Sequence, residues 1–162
     1  MKTLLGSALA LVLALLMQML FGYLAPAHLA WPDPFLLVLV YSALQGGEVR
    51  GLLMGTACGW VQDVLFGGPI VGLSALSKLL VGFGVGLAGA RFMVVGPGPR
   101  GLVLFCAALL DLLLYERLAA MLGLVVAELP LAMLLLRAGL SALLGAPLFG
   151  LLERRLGHEA LP

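Results

Sequence analysis

The sequence predicts an all-α, polytopic membrane protein with about six transmembrane helices and with both termini in the cytoplasm. Composition, the succession of apolar runs and the distribution of Lys and Arg predict this class. The chain has 162 residues, of which 63% are hydrophobic and 10% are charged, and its mean hydropathy is +1.18. A soluble domain has about 25% charged residues. We therefore expect one integral membrane domain, residues 1–162, with no soluble domain.

Prolines and glycines bound the first two predicted helices. The run from Thr3 to Leu24 is longer than the apolar region of about 7–15 residues in a signal peptide, so we interpret it as a retained helix. The second helix begins with Asp33 as a candidate N-cap and Pro34 in its first turn. Gly46-Gly47 ends it after about 21 Å of helix, which makes it the shortest.

Glycine and proline also separate the remaining helices. Gly67-Gly68-Pro69 ends the third helix, and Pro130 opens the sixth. The run Gly96-Pro97-Gly98-Pro99 predicts a loop between residues 91 and 100, because these residues disfavour a helix interior. The predicted helices cover about residues 3–24, 33–46, 50–66, 70–90, 101–123 and 130–152.

Basic residues predict the orientation of these helices. With the N-terminus inside, the outer loops 25–32, 67–69 and 124–129 contain no Lys or Arg. Cytoplasmic segments of membrane proteins are enriched in both residues. Here the cytoplasmic segments contain Lys2, Arg50, Arg91, Arg100, Arg154 and Arg155.

Ionisable residues within the predicted helices are costly in lipid and therefore mark candidate sites. From the helical rise, most of them lie roughly 10 Å below the outer surface, while Asp63 is nearer that surface and Asp111 is near mid-membrane. Together with Gln62, the candidates for a polar pocket or partner contact are Asp63, Lys78, Asp111, Glu116 and Arg137, and Arg117 also falls within a helix.

Two interpretations of these charges remain open. We expect Asp63 to meet Lys78 directly or through water, and Arg137 to pair with Glu116 or Asp111. In the first interpretation these are structural ion pairs, with Arg side chains that extend to the interface. In the second they form a polar pocket open to the outside, or a charged contact for a partner.

Small residues recur at helical spacing in three predicted helices. Such rows allow helix backbones to approach closely, either within one chain or between partners. The row in the first helix is the best candidate for a partner interface, because no charge interrupts it. The three rows are Gly6, Ala10 and Ala14; Gly51, Gly55 and Gly59; and Gly82, Gly86 and Gly89.

Several function classes lack support in the sequence. A net charge of +1 without a basic stripe does not indicate nucleic-acid binding. His28 and His158 lie outside the predicted helices, and no metal-binding or cofactor-binding motif is present, so we expect neither group. Ser77 and Lys78 point about 100° apart on a helix, which makes a catalytic dyad a weak hypothesis. We expect no enzymatic activity.

The stretch from Pro32 to Gly89 resembles the bacterial rod shape-determining protein family MreD. The most specific part runs from Gln62 to Gly82 and contains two charges, Asp63 and Lys78. The residues that carry the resemblance are Pro32-Asp33-Pro34, Gly46-Gly47-Glu48, Gln62-Asp63, Gly67-Gly68, Gly72-Leu73-Ser74-Ala75-Leu76-Ser77-Lys78 and Leu80-Val81-Gly82.

The resemblance implies a non-enzymatic, multi-pass protein of the cytoplasmic (inner) membrane that acts in cell elongation and peptidoglycan synthesis. It implies association with the single-span protein MreC, alongside wall synthases and the MreB cytoskeleton. It also implies a fold similar to the substrate-binding subunits of energy-coupling-factor vitamin transporters. A vitamin-binding subunit of such a transporter is the alternative function, and an intramembrane enzyme is a third hypothesis. Contacts with membrane lipid are expected in each case, and self-association is compatible with the sequence.

Overall fold

The protein is all-α throughout the part that the structure describes. A computed structural model describes residues 2–24, 33–66, 70–92, 96–124 and 130–156. These residues form five helices, which confirms the all-α part of the predicted fold class. The helices are α1 (Lys2–Leu24), α2 (Pro34–Phe66), α3 (Leu73–Arg91), α4 (Pro97–Met121) and α5 (Leu131–Leu156).

Helix α2 is a hairpin that contains the second and third predicted helices. Its chain reverses at Gly47, where φ is 73°, a left-handed conformation that glycine adopts without steric cost. The two arms, residues 34–46 and 48–66, then lie side by side. At their far ends the rings of Phe35 and Phe66 are 6.3 Å apart. The predicted break at this glycine is thus confirmed, although the helix resumes after a single residue.

Helix α3 packs against both arms of α2 through the two glycine rows. A Cβ atom at Gly51 would overlap the backbone carbonyl of Gly82, and one at Gly55 would overlap that of Lys78. The absence of a side chain therefore sets the distance between the two helices. These rows serve packing within the chain, which is the ordinary interpretation of such spacing.

The predicted loop before the fifth predicted helix is too long. Helix α4 begins at Pro97 and contains Pro99 in its first turn, whereas the predicted helix begins at residue 101. Proline is compatible with a first turn, because the N–H groups there have no intrahelical acceptor and φ near −65° suits the helix. The interpretations that concern Pro32, His28, His158 and most of the outer loops lie outside the described residues.

The distribution of polarity is the reverse of that in a soluble protein. Large apolar side chains are exposed along all five helices, while Asp33, Asp63, Lys78 and Asp111 are buried. Such a surface suits lipid, which is itself apolar. Among the described helices, Leu73–Arg91 is long and apolar enough to cross a membrane, as is Pro34–Phe66 when its two arms are counted as one helix, and shorter apolar segments occupy Ala8–Tyr23 and Leu131–Gly145. The count of six spans and the transporter-like fold stay predictions.

Candidate functional site

The most strongly buried cation of the described chain is Lys78, in the second turn of α3. Only 2% of Lys78 is exposed. Its Nζ donates hydrogen bonds to Oδ2 of Asp33 at 2.7 Å and to Oδ2 of Asp111 at 2.6 Å. Burial of an ammonium is tolerated when it is paired and hydrogen-bonded, and here two carboxylates share it. This triad joins the start of α2, the start of α3 and the middle of α4.

Asp33 is the member of the triad that the sequence interpretation left out of the site. Its Oδ1 accepts the backbone N–H of Phe35 at 2.9 Å, which confirms it as the N-cap of α2. Its Oδ2 faces Lys78 and also lies 3.5 Å from Nε2 of Gln62. Two features of the sequence could have identified Asp33 as a site residue. An acidic residue next to an apolar run is costly in lipid, and a lysine in a neighbouring predicted helix could neutralise it.

Ser77 also contributes to the triad, on the neighbouring position of the same helix. Its Oγ lies 2.7 Å from Oδ1 of Asp111 and 3.0 Å from the main-chain oxygen of that residue. The hydroxyl donates to the carboxylate oxygen that Lys78 does not contact. Ser77 and Lys78 therefore converge on one aspartate, and each of the two carboxylate oxygens has a donor.

Asp63 caps α3 and forms no ion pair with Lys78 in the described structure, so the direct contact is wrong, while a contact through water stays a prediction. Its Oδ2 accepts the backbone N–H groups of Gly72 at 2.8 Å, Ser74 at 3.0 Å and Ala75 at 3.3 Å. The first N–H groups of a helix have no intrahelical acceptor, and the positive end of the helix dipole favours a carboxylate. This capping explains how Asp63 is buried without a cationic partner.

A partly open cavity of about 300 Å³ lies against these residues, between α2, α3, α4 and α5. Five of the six candidates from the sequence line it, and Glu116 does not. The sequence interpretation missed its aromatic members, Phe66 and Tyr115. The polar and aromatic side chains that line the cavity are Asp33, Gln62, Asp63, Phe66, Ser74, Lys78, Asp111, Tyr115 and Arg137.

Arg137 lines the cavity from α5 without the expected acidic partner. Within the described ranges, no ion pair joins Arg137 to Glu116 or Asp111; Asp111 is bonded to Lys78 and Ser77, and Arg137 is close enough to Asp33 for electrostatic attraction. Glu116 lies one helical turn beyond Asp111, and its Oε1 is buried without a hydrogen-bond partner among the described residues. The expected pairing of Arg137 is therefore wrong in this part of the structure.

The small-residue row of α1 lies apart from the cavity. Ala14 is 3% exposed and belongs to the apolar core, Ala10 is half-buried, and Gly6 is exposed. Among the described helices α1 contacts α2 alone. The row therefore runs from an internal contact to an open surface as it approaches the N-terminus.

These features define a class of protein: an apolar helical bundle for lipid, with a charged cavity and a buried ion triad. The described residues contain no group of three or more His, Cys, Asp or Glu side chains that could hold a metal ion. The weak hypothesis of a Ser77–Lys78 dyad gains no support from these contacts. The hydroxyl of Ser77 donates to Asp111, and the ammonium of Lys78 is shared by Asp33 and Asp111.

Comparison with known families identifies the chain further. It belongs to the MreD family, because the family model described as rod shape-determining protein MreD matches residues 2–155. This is a membrane protein family with a role in rod shape determination, and it is not a known enzyme family. Comparisons with curated proteins and with solved structures give no match.

Proposed function

We propose that this chain is a non-enzymatic scaffold subunit of the cell-elongation machinery, which directs peptidoglycan synthesis. It is a single multi-pass domain of the cytoplasmic membrane, with both termini inside. It binds an MreC-like single-span protein through helix faces and thereby links the MreB cytoskeleton to wall synthases. Family membership supports the role in rod shape, and the surface of α1 supports the mode of binding.

The observation that carries this proposal is the unpartnered apolar face of α1. This helix packs on α2 alone among the described helices, so most of its circumference is available. Close packing between helices in lipid favours small residues, which Gly6 and Ala10 provide beside larger apolar groups. The large apolar side chains exposed on α1 are Leu9, Val12, Leu13, Leu16, Met17, Met19, Leu20 and Tyr23.

One observation favours the alternative, a vitamin-binding subunit of an energy-coupling-factor transporter. The cavity of about 300 Å³ is at the lower end of the range for small-molecule sites, and charged groups converge on it. A transporter subunit of this kind also docks on a coupling protein within the membrane, for which the α1 row is equally suited. The two functions therefore differ in the partners that they predict.

The deciding experiment is a pull-down of the tagged full chain from native membranes in mild detergent. We expect a single-span protein with a large outer domain, together with wall-synthesis enzymes. Recovery of a coupling subunit with paired ATPases would instead establish the transporter function. Recovery of neither set, at normal expression and folding, would contradict both.

A pair of variants tests the proposed face directly. Ala10→Leu places a larger side chain in the small-residue row and is expected to reduce recovery of the partner severalfold. Ala8→Leu makes the same change at an exposed position about 160° away around α1, and is expected to leave recovery unchanged. Equal recovery with both variants would contradict binding through this row.

A further inference from the structure

Two arginines mark the end of the bundle away from the cavity. Arg91 ends α3, and Arg100 lies in the first turn of α4. These two helices are antiparallel, because residues 92–96 alone join them. The contact between Lys78 and Asp111 fixes a common level on both helices. From that level the helical rise places Arg91 about 20 Å and Arg100 about 16 Å toward the same end.

The turn of the α2 hairpin adds a third arginine at this end. The turn lies beside the last part of α3, since a Cβ atom at Gly86 would overlap the backbone at Gly47. The aliphatic stem of Arg50 lies over Gly46, where an added Cβ would overlap it. The guanidinium group of Arg50 therefore lies close to the turn, on a helix that neighbours α3.

Charge at this end is predominantly positive. We call Arg50, Arg91 and Arg100 the arginine rim, and Glu48 is the one acidic side chain that the structure describes beside it. Arg91 is exposed and forms no ion pair with a described residue. Guanidinium groups bind phosphate through parallel N–H donors, so the rim suits a partner that carries phosphate.

Exposed apolar side chains adjoin the arginine rim. Val49, Phe92 and Leu102 each lie within two residues of a rim arginine, and they are 72%, 68% and 65% exposed. In a membrane such groups contact acyl chains, while the arginine beside each extends to the headgroups. An acidic soluble protein would match the arginines but not the apolar groups, so the combination favours a lipid.

We propose that the arginine rim binds an anionic phospholipid, with the lipid phosphate at the guanidinium groups and the acyl chains against Val49, Phe92 and Leu102. Under the proposed orientation the rim lies in the cytoplasmic leaflet, whose anionic lipids attract basic segments. Lipid binding depends neither on that orientation nor on the partner of α1. It can therefore fail while the proposed function holds, and the reverse is equally true.

The test is native mass spectrometry of the purified full chain in detergent, with phosphatidylglycerol and phosphatidylcholine of identical acyl chains. Phosphatidylglycerol is expected to bind roughly tenfold more tightly or better, because each basic residue near an anionic headgroup contributes about fivefold. Phosphatidylglycerol should also raise the melting temperature, and high salt should reduce that increase. Equal binding of the two lipids would overturn the proposal.

Single variants locate the lipid at the rim. Arg91→Gln and Arg100→Gln are each expected to weaken phosphatidylglycerol binding about fivefold while phosphatidylcholine binding stays unchanged. Phe92→Ser removes an apolar contact without a charge and should weaken both lipids alike. Arg117→Gln is the matched control, because Arg117 is an exposed arginine about one turn from the other end of α4.

The melting temperature of each variant in detergent shows whether it is folded, and two arginine variants keep the test valid when one fails to fold. Folded rim variants that bind phosphatidylglycerol like the control would overturn the proposal. Loss of a cytoplasmic protein from the pull-down of Arg91→Gln, with lipid selectivity unchanged, would assign the rim to an acidic protein and would also overturn it.

Discussion

The carboxylate of Asp33 lies 2.7 Å from the ammonium of Lys78, although 45 residues separate them in the chain. Asp33 also caps α2, and Asp111 of α4 contacts the same ammonium. One buried cation therefore connects three helices beside the cavity. Because the three side chains are buried, attraction within the triad is stronger than between exposed charges.

Removal of the shared cation is expected to destabilise the bundle strongly. Lys78→Met would leave Asp33 and Asp111 buried without a counter-charge, a change that typically costs about 3–5 kcal/mol. Asp111→Asn should have a smaller effect, because Lys78 and Asp33 would remain as a neutral pair. The measurement is the melting temperature of the purified protein in one detergent.

An exposed cation provides the control for this series. Arg117→Met is not expected to destabilise the protein, since Arg117 is exposed and its replacement leaves no buried charge without a partner. The expected order of destabilisation is Lys78→Met, then Asp111→Asn, then Arg117→Met. A melting temperature for Lys78→Met equal to that of the control would show that the triad does not hold the helices together.

Asp63 is expected to act as a helix cap, which a second pair of variants distinguishes from a charge-pairing role. Asp63→Ala removes the acceptor for the first N–H groups of α3 and should cost about 1–2 kcal/mol. Asp63→Asn keeps an oxygen acceptor and should recover a large part of this loss, as measured by thermal unfolding. If Asn is as damaging as Ala, the negative charge matters more than the hydrogen bonds.

Sequence reasoning identified which helices carry charge, but not which charges meet. The depth of Lys78 follows from residue counts, whereas its partner depends on how α3 is rotated and on which helix faces it. Asp63 is nearer along the chain, yet the N-terminus of α3 occupies its carboxylate. Asp33 was interpreted only as a cap, because local hydrogen bonding explained its position without a tertiary partner.

Backbone features were more predictable than the cavity. Gly46-Gly47 marked the reversal of α2 because a left-handed residue is needed there, and the glycine rows marked close approach between α2 and α3. Both are local requirements for glycine that can be recognised from spacing. A cavity is a space that four helices leave unfilled, so its existence and its aromatic lining depend on packing angles that no single stretch of sequence determines.

Packing between α2 and α3 is expected to be intolerant of a single methyl group at Gly55. A Cβ there would overlap the backbone carbonyl of Lys78, which cannot rotate away as a side chain can. Gly55→Ala should therefore separate the helices and cost about 1–3 kcal/mol. Gly84→Ala is the matched control, since Gly84 is an exposed helical glycine with no atom within 4 Å of the added Cβ.

In this comparison the two substitutions are chemically identical and lie in neighbouring helices. Gly84→Ala should be neutral or stabilise the helix by up to about 1 kcal/mol, because alanine has the higher helix propensity. Thermal unfolding in the same detergent provides the measurement. Equal melting temperatures for the two variants would contradict the close approach of α2 and α3.

The row on α1 is expected to divide into an internal part and a partner-binding part. Ala14 is buried in the apolar core, so Ala14→Leu should overpack the contact with α2 and cost about 1–3 kcal/mol. Gly6 is exposed, so Gly6→Leu should leave the melting temperature unchanged while it reduces co-purification of the partner. Both quantities are measured on the same purified material, which separates unfolding from loss of binding. Full partner recovery with a stable Gly6→Leu variant would restrict the interface to residues nearer the middle of α1, where Ala10 then becomes the position to test.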